Sequence, residues 1–439
     1  MDLQKRLDEA AKAHDIPGAT LAVWSDGRLY EAATGVVNRN TGVETDTDSV
    51  FQVGSTTKVW TAALIMQLAE EGLLDLDKEI GEYLPQFALA YDAQITVRHL
   101  LTHTGGFDGD LFEDTGRGDD SLEKFVAFLH GAGKVHEPGE LFSYCNAGYV
   151  VLGAIVAKLR GTTWEQAMQE RLFTPLGVTH AALLAEEAVL FRAAAGHIGP
   201  DNVVYPKWQM PRSNAPAGST LCLAPRELVK FGRMFAAGGV AEDGTRVLSE
   251  ESVAAMRSPQ VPVPGVPGLM AANWGLGFEL FGWGAYGHDG GTPGQSTFWR
   301  VSDDGTFAIA ASINGGSFMG LLTDLLLPLL REGGRSVPDL PTPPEHPQAV
   351  DVSPYLGRYA GPQLAYEVTE AGGGLQIALI PGAFMASMGQ EATSARYVHL
   401  SDDSFIAAEL QDGRYDTASF IVRDGVATHL HNGRAVARA

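Results

Sequence analysis

The sequence predicts an α/β protein of the α+β type, with an antiparallel sheet flanked by helices plus an all-helical region, followed by a small antiparallel β-barrel domain. Strand patterns near both ends of residues 1–335 enclose a long helical region, and strands in that order join one antiparallel sheet with helices packed on it. Five prolines lie within residues 336–350, which is typical of a stiff linker at a domain boundary. Residues 351–439 then alternate with period two, as short barrel strands do.

Within residues 1–335 a polar helix at about 2–14 precedes two strands, Gly18–Trp24 and Leu29–Gly35, which Asp26-Gly27 joins as a hairpin. A long apolar helix follows from about Thr56 to Glu71. The later patterns predict helices at Ser121–Leu129, Ala147–Leu159, Thr163–Arg171 and Met319–Arg331, strands at Gly275–Leu280, Gln295–Val301 and Phe307–Ile313, and barrel turns at Gly372-Gly373-Gly374, Asp412-Gly413 and Asp424-Gly425.

Charge and composition exclude several classes of function. The 439 residues contain 31 Lys+Arg against 53 Asp+Glu, a net charge of −22, so phosphate backbones and anionic lipids are repelled. Two cysteines cannot supply a four-cysteine zinc site or a disulfide framework. No apolar run approaches the ~18 residues of a membrane helix, and the acidic segment Met1–Glu9 is unlike a signal peptide. We expect a cytoplasmic protein with no nucleic-acid or membrane partner, and the oligomeric state stays open.

The first chemical signal is Gly54-Ser55-Thr56-Thr57-Lys58, which opens the long helix. A spacing of three puts Ser55 and Lys58 on one face, one turn apart. A serine needs a proton acceptor to become a nucleophile, and a lysine stripped of water at a helix start has a pKa low enough to serve. Alone, the pair also fits an N-cap serine and a solvated lysine, because Ser-x-x-Lys arises by chance about once in a chain of this size.

Two further motifs follow in chain order. Ser143-Tyr144-Cys145-Asn146 holds a Tyr-x-Asn pair before a predicted helix, and Gly287-His288-Asp289-Gly290-Gly291 precedes a predicted strand. With Ser55-x-x-Lys58 they resemble the three active-site elements of the serine β-lactamase and penicillin-binding protein superfamily, whose third element is Lys-Thr-Gly or His-x-Gly. Residues 95–106, 172–177 and 216–228 also resemble family segments. The resemblance spans nearly all of residues 1–335.

The resemblance implies a β-lactamase/transpeptidase-like fold and a role for each matched residue. Ser55 would attack the acyl carbonyl, and Lys58 and Tyr144 would share the proton transfers. Asn146 would hydrogen-bond the substrate amide or the Lys58 ammonium. No cofactor and no metal is implied.

The third motif bears on the substrate. The N–H groups of Ser55 and Gly291 would form an oxyanion hole, with Gly290 letting the acyl chain lie close to the strand. The family lysine is a permanent cation that attracts a β-lactam carboxylate, whereas His288 in its place is mostly neutral at pH 7. Asp289 adds a negative charge. His-x-Gly resembles the esterase and D-aminopeptidase branches more closely.

We therefore expect a serine hydrolase that acts through a Ser55 acyl-enzyme on a small-molecule or peptidyl ester, amide or thioester, as an esterase or a D-amino-acid-specific peptidase. Three alternatives stay open: a penicillin-binding-protein-type thioesterase that macrocyclises a nonribosomal peptidyl thioester, a β-lactamase, and a catalytically idle binding domain. Residues 351–439, opening with Tyr355-Leu-Gly-Arg-Tyr359, resemble the lipocalin-like barrel appended to many family members.

Other candidates receive structural interpretations. His99 and His103 are four residues apart, but the glutamate of a zinc-binding His-Glu-x-x-His helix is absent, so they are not expected to bind a metal. Residues 108–120 are expected to form a mobile loop over the cleft mouth. The remaining expectations are substrate contact for the aromatic residues Trp208 and Trp283, and solvent exposure for the strand residues His429 and His431.

Overall fold

The computed structural model describes residues 2–266, 271–361, 363–382, 386, 391–411 and 413–439. Most of the first 335 residues pack on both faces of one antiparallel sheet. The strands of this sheet and of the small sheets beside it are β1 Gly18–Ser25, β2 Arg28–Asn38, β3 Val43–Glu44, β4 Phe51–Gln52, β5 Ala181–Ala182, β6 His197–Ile198, β7 Val203–Val204, β8 Cys222–Leu223, β9 Val261–Pro262, β10 Asn273–Trp274, β11 Glu279–Phe281, β12 Ala285–Gly287, β13 Gly290–Thr292, β14 Gln295–Ser302 and β15 Ala308–Ile313.

Among the described residues the main sheet has ten strands, in the order β3-β2-β1-β15-β14-β12-β11-β10-β9, with β13 paired to β14. The N-terminal and C-terminal strands of this part therefore meet in one sheet, as predicted. The helices are α1 Leu3–Ala13, α2 Thr57–Glu70, α3 Ile80–Tyr83, α4 Val97–Leu101, α5 Ser121–Phe128, α6 Asn146–Arg160, α7 Trp164–Met168, α8 Thr174–Leu176, α9 Ala185–Ala188, α10 Pro225–Ala236, α11 Glu250–Met256, α12 Phe318–Leu321 and α13 Leu327–Glu332.

Helix α2 fixes the position of the candidate nucleophile. All its residues from Thr57 to Leu68 are buried, as expected of a mainly apolar helix without a polar face. A 3₁₀ turn at Gly54–Thr56 leads into it. The helix thereby holds Ser55 and Lys58 at the centre of the molecule rather than at its surface.

Three predicted elements differ in detail. Gly275–Leu280 is not one strand, because Gly275 N–H donates to Phe278 O at 2.9 Å and turns the chain between β10 and β11. The turn requires Gly277, whose φ of +92° brings it against Ala62 of α2. The helices predicted at Thr163–Arg171 and Met319–Arg331 each contain a π-helical turn, Gln169–Phe173 and Leu322–Leu326.

A second sheet closes the C-terminal part of the chain. Its strands, eight in the described residues, pair antiparallel in sequence order, and the isolated bridge Tyr359↔Arg438 joins the first to the last. It is a nearly closed barrel, as predicted. The turns predicted at Gly372–Gly374 and at Asp424-Gly425 are present, and Asp412 lies outside the described residues. The strands are β16 Gly357–Ala360, β17 Leu364–Ala371, β18 Gly374–Pro381, β19 Thr393–Ser401, β20 Ser404–Ala407, β21 Thr417–Arg423, β22 Val426–His431 and β23 Ala435–Ala437.

The barrel docks on the rest of the chain through its last hairpin. His431 Nε2 donates to Phe142 O at 2.9 Å, and its Nδ1 accepts from Gly433 N at 3.3 Å. His429 Nε2 lies 3.2 Å from Val135 O. The prediction that these two histidines face solvent is wrong, since His429 is 8% exposed and His431 is 1% exposed. Side chains on this strand do alternate between two faces. Both imidazoles, however, face the contact between the barrel and residues 135–142, which we call the seam and which the sequence does not reveal.

Acid is expected to weaken this seam. Burial lowers the pKa of His431 to about 4, against ~6.5 for a free imidazole. Between these values the unfolded chain binds a proton that the folded chain does not, so the stability that neutral His431 confers is present above about pH 6.5 and lost as pH falls through about 4. The melting temperature should therefore fall across this window, and less steeply in His431→Gln, whose amide still donates.

His399→Gln is the matched control, because His399 bonds within the barrel to Asp402 O. It should keep the wild-type pH dependence. Identical slopes for His431→Gln and the wild type in thermal melts would contradict this account of the seam.

Candidate active site

Three segments meet at the start of α2 because glycines let their backbones touch. A Cβ on Gly290 would lie 1.9 Å from Val53 O and 3.2 Å from Ser55 N. A Cβ on Gly218 would lie 2.2 Å from Gly54 O. No side chain fits at either position, so β13 and the end of the 3₁₀ turn Arg212–Ala217 both close directly on the segment that holds Ser55.

Ser55 and Lys58 form the centre of the site. Lys58 Nζ donates to Ser55 Oγ at 3.0 Å and to Ala217 O at 2.6 Å. The Lys58 side chain is 0% exposed, and the loss of water lowers its pKa to about 7, with the positive charge of Arg434 acting in the same direction. Near neutral pH a large share of this amine is unprotonated and can accept the serine proton. The interpretation of Lys58 as a solvated residue is therefore excluded.

Tyr144 lies on the other side of this amine. Lys58 Nζ is 5.0 Å from the centre of the Tyr144 ring. The phenol oxygen is buried and makes no hydrogen bond of ordinary geometry within the described residues, although the Ser55 hydroxyl is near enough to lower its pKa. Burial outweighs that contact and raises the Tyr144 pKa well above its ordinary value. Tyr144 is thus a protonated phenol, and of the two residues expected to share the proton transfers Lys58 is the one that can accept the serine proton.

His288 completes the cluster as a neutral imidazole. Its ring centre lies 6.1 Å from that of Tyr144. Burial and the nearby Lys58 lower the His288 pKa to about 3. Nδ1 lies 2.5 Å from Asp289 O, so Nδ1 carries the proton and Nε2 is an acceptor. Within the described residues Nε2 has no partner.

A charged pair behind His288 was not foreseen in the sequence. Asp289 accepts from Arg300 at 2.7 and 2.9 Å, so the negative charge expected to enter the site is neutralised. Glu279 Oε1 lies 3.7 Å from His288 Nδ1, and burial raises the Glu279 pKa above its usual range. One feature of the sequence could have indicated Glu279, because it is an acid in the strand that pairs with the residues just before His288. In the structure Glu279 lies opposite Gly287.

Asn146 is bonded to a carboxylate rather than to the Lys58 amine, one of its two expected partners. It does line the cavity, and its other expected partner, the substrate amide, stays a prediction. Asn146 Nδ2 donates to Asp110 Oδ1 at 2.8 Å, whereas the ammonium of Lys58 bonds to Ser55 and Ala217. Asp110 is shared with Arg434, whose Nη2 donates to Oδ1 at 3.1 Å and whose Nε also donates to this carboxylate. Arg434 belongs to the docked hairpin of the barrel and lies 5.2 Å from the Tyr144 ring centre. The barrel therefore supplies a cation to the site.

These groups surround a cavity of about 200 Å³. Gly291 lines this cavity next to Ser55. On the strand it pairs with Ser296, one residue pair before the Pro293-Gly294 turn. In this register the Gly291 N–H points away from β14. This placement suits an oxyanion hole made with the Ser55 N–H. The cavity is lined by Ser55, Phe112, Tyr144, Asn146, Met210, Asn214, Ala217, Gly218, Ser219, Gly291 and Arg434.

Several sequence candidates lie elsewhere or do other work. His99 Nδ1 accepts from Thr96 N and His103 Nδ1 from Cys145 N. Within the described residues no group of three or more His, Cys, Asp or Glu could hold a metal ion, and no helix is long and apolar enough to cross a bilayer. Trp283 packs on a separate hydrophobic cluster.

The expected loop at residues 108–120 does border the cleft, but it is bonded to the chain at several points. Ser213 Oγ donates to Glu113 O at 2.5 Å and Asn214 Nδ2 to Leu111 O at 3.2 Å. With Asp110 bonded to Arg434, this segment is anchored by hydrogen bonds along the wall of the cleft, and its mobility stays a prediction.

The lowered pKa of Lys58 predicts how Ser55 reactivity depends on pH. Labelling of Ser55 by a fluorophosphonate should accelerate as pH rises through about 7, because the deprotonated amine accepts the serine proton. Lys58→Met should slow labelling by ~10²–10⁴-fold, the usual contribution of a general base, and remove that inflection. Lys124→Met, at an exposed residue, should behave as wild type. An inflection near the value of an ordinary lysine would contradict the assignment.

Arg434 should tune that inflection from the barrel. Its charge lowers the Lys58 pKa, so Arg434→Ala should move the midpoint of Ser55 labelling to higher pH, while Arg434→Lys keeps the charge and most of the effect. The control is Arg423→Ala, which removes a cation that bonds Glu140 across the same seam and does not line the cavity. Equal midpoints in Arg434→Ala and Arg423→Ala would contradict the effect of the Arg434 charge on the Lys58 pKa.

Comparison with known proteins supports the resemblance of the motifs. Residues 3–325 match the family model described as Beta-lactamase. The chain is 44% identical to penicillin-binding protein 4 of Amycolatopsis lactamdurans over 368 residues, 81% of this chain and 96% of that protein.

Two solved structures extend the comparison to the fold. SurE matches with a TM-score of 0.78 and 32% identity, covering 98% of this chain and 97% of that chain. D-amino acid amidase from Ochrobactrum anthropi SV3, complexed with D-phenylalanine, matches with a TM-score of 0.60 and 26% identity over 72% of this chain and 91% of that chain. The motifs, the fold and these similarities agree, and the protein belongs to the β-lactamase family.

Proposed function

We propose that the protein is a serine hydrolase that forms an acyl-enzyme at Ser55 and acts on acyl groups ending in a D-amino acid. The observation that carries this proposal is the buried Lys58 amine, 3.0 Å from Ser55 Oγ, with its pKa lowered to about 7. The D-residue preference is supported by similarity to D-amino acid amidase and to SurE, of which a structure with D-Leu matches at 31% identity over 98% of this chain.

In the acylation step, unprotonated Lys58 takes the Ser55 proton as Oγ attacks the acyl carbonyl. The developing oxyanion is held by the N–H groups of Ser55 and Gly291 at the start of α2. Tyr144 stays protonated because burial raises its pKa, so it can give its proton to the leaving group and recover one from Lys58. Neutral His288 adds no charge, and its free Nε2 can accept a hydrogen bond from the phenol or the substrate.

Water then hydrolyses the acyl-enzyme by the reverse proton path. A second candidate replaces water with an amine of the same substrate, which gives a cyclic peptide. One observation favours this cyclase candidate. Arg434 of the barrel forms part of the cavity wall, and this wall limits the access of water to the acylated serine. A β-lactamase is less well supported, because the imidazole at 288 is uncharged, and a purely binding role is at odds with an intact Ser55–Lys58 pair.

The proposal is tested with matched 4-nitrophenyl esters of acetyl-D-leucine and acetyl-L-leucine. Wild type should release nitrophenol from both and favour the D-ester at least ~10-fold, the discrimination that about 1.4 kcal/mol of transition-state binding provides. Ser55→Ala should abolish turnover and labelling, whereas Ser317→Ala, which removes a helix-capping serine away from the cavity, should not. No turnover and no labelling of the wild type would remove the enzyme proposal, and equal rates would remove the D-preference.

The fate of the acyl group is read separately by mass spectrometry. A linear peptidyl thioester ending in D-leucine should yield the linear acid if water is the second nucleophile. A product lighter than the linear acid by one water indicates cyclisation. That result would mean that an amine of the substrate, rather than water, is the second nucleophile.

A further inference from the structure

A histidine with a strained backbone stacks on the ring of Tyr144. His103 has a φ of +56°, in the left-handed region that a residue with a side chain rarely adopts. It follows the end of α4, where Thr104 N donates to His99 O at 2.8 Å. The N–H of His103 itself donates to Leu100 O at 3.3 Å. This pair of bonds is a Schellman motif, whose left-handed residue is usually glycine, so a histidine here carries a backbone cost that indicates a further role.

His103 contacts three successive residues of the Tyr-x-Asn segment. Its carbonyl oxygen accepts from Ser143 N at 2.8 Å. Its ring stacks on that of Tyr144, with the ring centres 4.3 Å apart and an angle of 29° between the planes. Its Nδ1 accepts from Cys145 N at 2.9 Å. A single residue therefore bonds the backbone on both sides of Tyr144 and also packs on its side chain.

Tyr144 depends on these contacts because its hydroxyl offers no anchor. The phenol oxygen is buried and makes no hydrogen bond of ordinary geometry within the described residues. The backbone N–H of Tyr144 donates to Gly433 O of the barrel at 3.0 Å. The position of the phenol is thus set by the backbone bonds of residues 143–145 and by the packing of the ring. A displacement of ~1 Å at a reacting group can cost ~10²-fold in rate.

The imidazole of His103 is itself fixed and neutral. It is fully buried and lies nearly perpendicular to the rings of Trp274 and Phe142, whose centres are 4.8 and 5.7 Å away. Burial, with the nearby charge of Lys58, lowers the His103 pKa well below that of a free imidazole. Nδ1 therefore keeps the lone pair that accepts from Cys145, and the proton is on Nε2. That N–H has no hydrogen-bond partner within the described residues, which is a second cost beside the strained backbone.

We propose that His103 is a positioning residue that holds Tyr144 where its phenol can protonate the leaving group during acylation. The phenol proton passes to the departing atom as its bond to the acyl carbon breaks, and Lys58 returns to Tyr144 the proton that it took from Ser55. This inference rests on the proposed function, in which Tyr144 is the acid. It adds a residue that does not line the catalytic cavity.

The experiment compares kcat/KM, which reports the steps up to acylation, for the 4-nitrophenyl and ethyl esters of acetyl-D-leucine. Nitrophenolate departs without a proton, whereas ethoxide must be protonated as it leaves. His103→Phe keeps a flat ring but loses the acceptor for Cys145 N. It should lower kcat/KM for the ethyl ester ~10²-fold or more and for the nitrophenyl ester less than ~10-fold.

His103→Asn tests the same bond from the other side. Asparagine tolerates the left-handed backbone, and its side-chain oxygen can accept from Cys145 N as Nδ1 does. This variant should stay within ~10-fold of wild type on the ethyl ester, the lower end of what a displaced general acid costs being ~10²-fold. If His103→Phe does not fold by circular dichroism, His103→Gln takes its place, because its amide oxygen is one bond too far out to replace Nδ1.

His99→Asn is the matched control. His99 lies on the same helix, and its Nδ1 also accepts from a backbone N–H, that of Thr96 rather than one of the Tyr-x-Asn segment. This variant should keep the wild-type ratio of the two esters.

The outcomes separate this inference from the proposed function. No loss in His103→Phe, equal losses with both esters, or His103→Asn no better than His103→Phe would overturn the positioning role. A wild type that hydrolyses the nitrophenyl ester but not the ethyl ester would also overturn it, because no leaving group is then protonated, while the acyl-enzyme would stand. No turnover of either ester and no labelling of Ser55 would instead overturn the proposed function.

Discussion

The chemistry of this protein depends on one lysine amine that is buried away from water. Lys58 lies on a helix that the core surrounds, and its amine bonds to the Ser55 hydroxyl and to the backbone carbonyl of Ala217. Burial of a charge is costly unless it is compensated, and here the cost appears as a pKa near neutrality. The buried helix α2 and the glycines that let neighbouring segments close on it seal that amine from solvent, and burial at the same place raises the pKa of Tyr144.

Much of the fold and the centre of the site followed from the sequence. Local signals sufficed wherever a motif specified its own geometry: Ser-x-x-Lys at a helix start, Asp-Gly at hairpins, and a proline run before period-two strands. The three motifs predict that Ser55, Lys58, Tyr144, His288 and Gly291 share one site, and the structure brings them together. The strand break at Gly277 was missed because it depends on a close approach to a helix more than two hundred residues earlier.

Contacts across the seam could not be predicted in the same way. His429 and His431 stand in a strand whose alternation fits solvent on one face, and Arg434 lies in the turn that follows it. Nothing local distinguishes solvent from another part of the chain. The pairing of Asp289 with Arg300 has the same origin, since the partner is a residue on the neighbouring strand whose orientation depends on register. Both cases concern partners that are distant in sequence: backbone carbonyls for the two histidines and a guanidinium for Asp289.

Sharing of Asp110 between Asn146 and Arg434 links two equilibria that are usually separate. A molecule that binds more tightly when the guanidinium is in place must, by thermodynamic reciprocity, also hold the barrel more firmly against its neighbour. Ligand binding at the active site and attachment of the barrel are then coupled by a single free energy. For such a ligand, saturation would strengthen the attachment of the barrel to the rest of the chain, and detachment of the barrel would lower the affinity for the ligand.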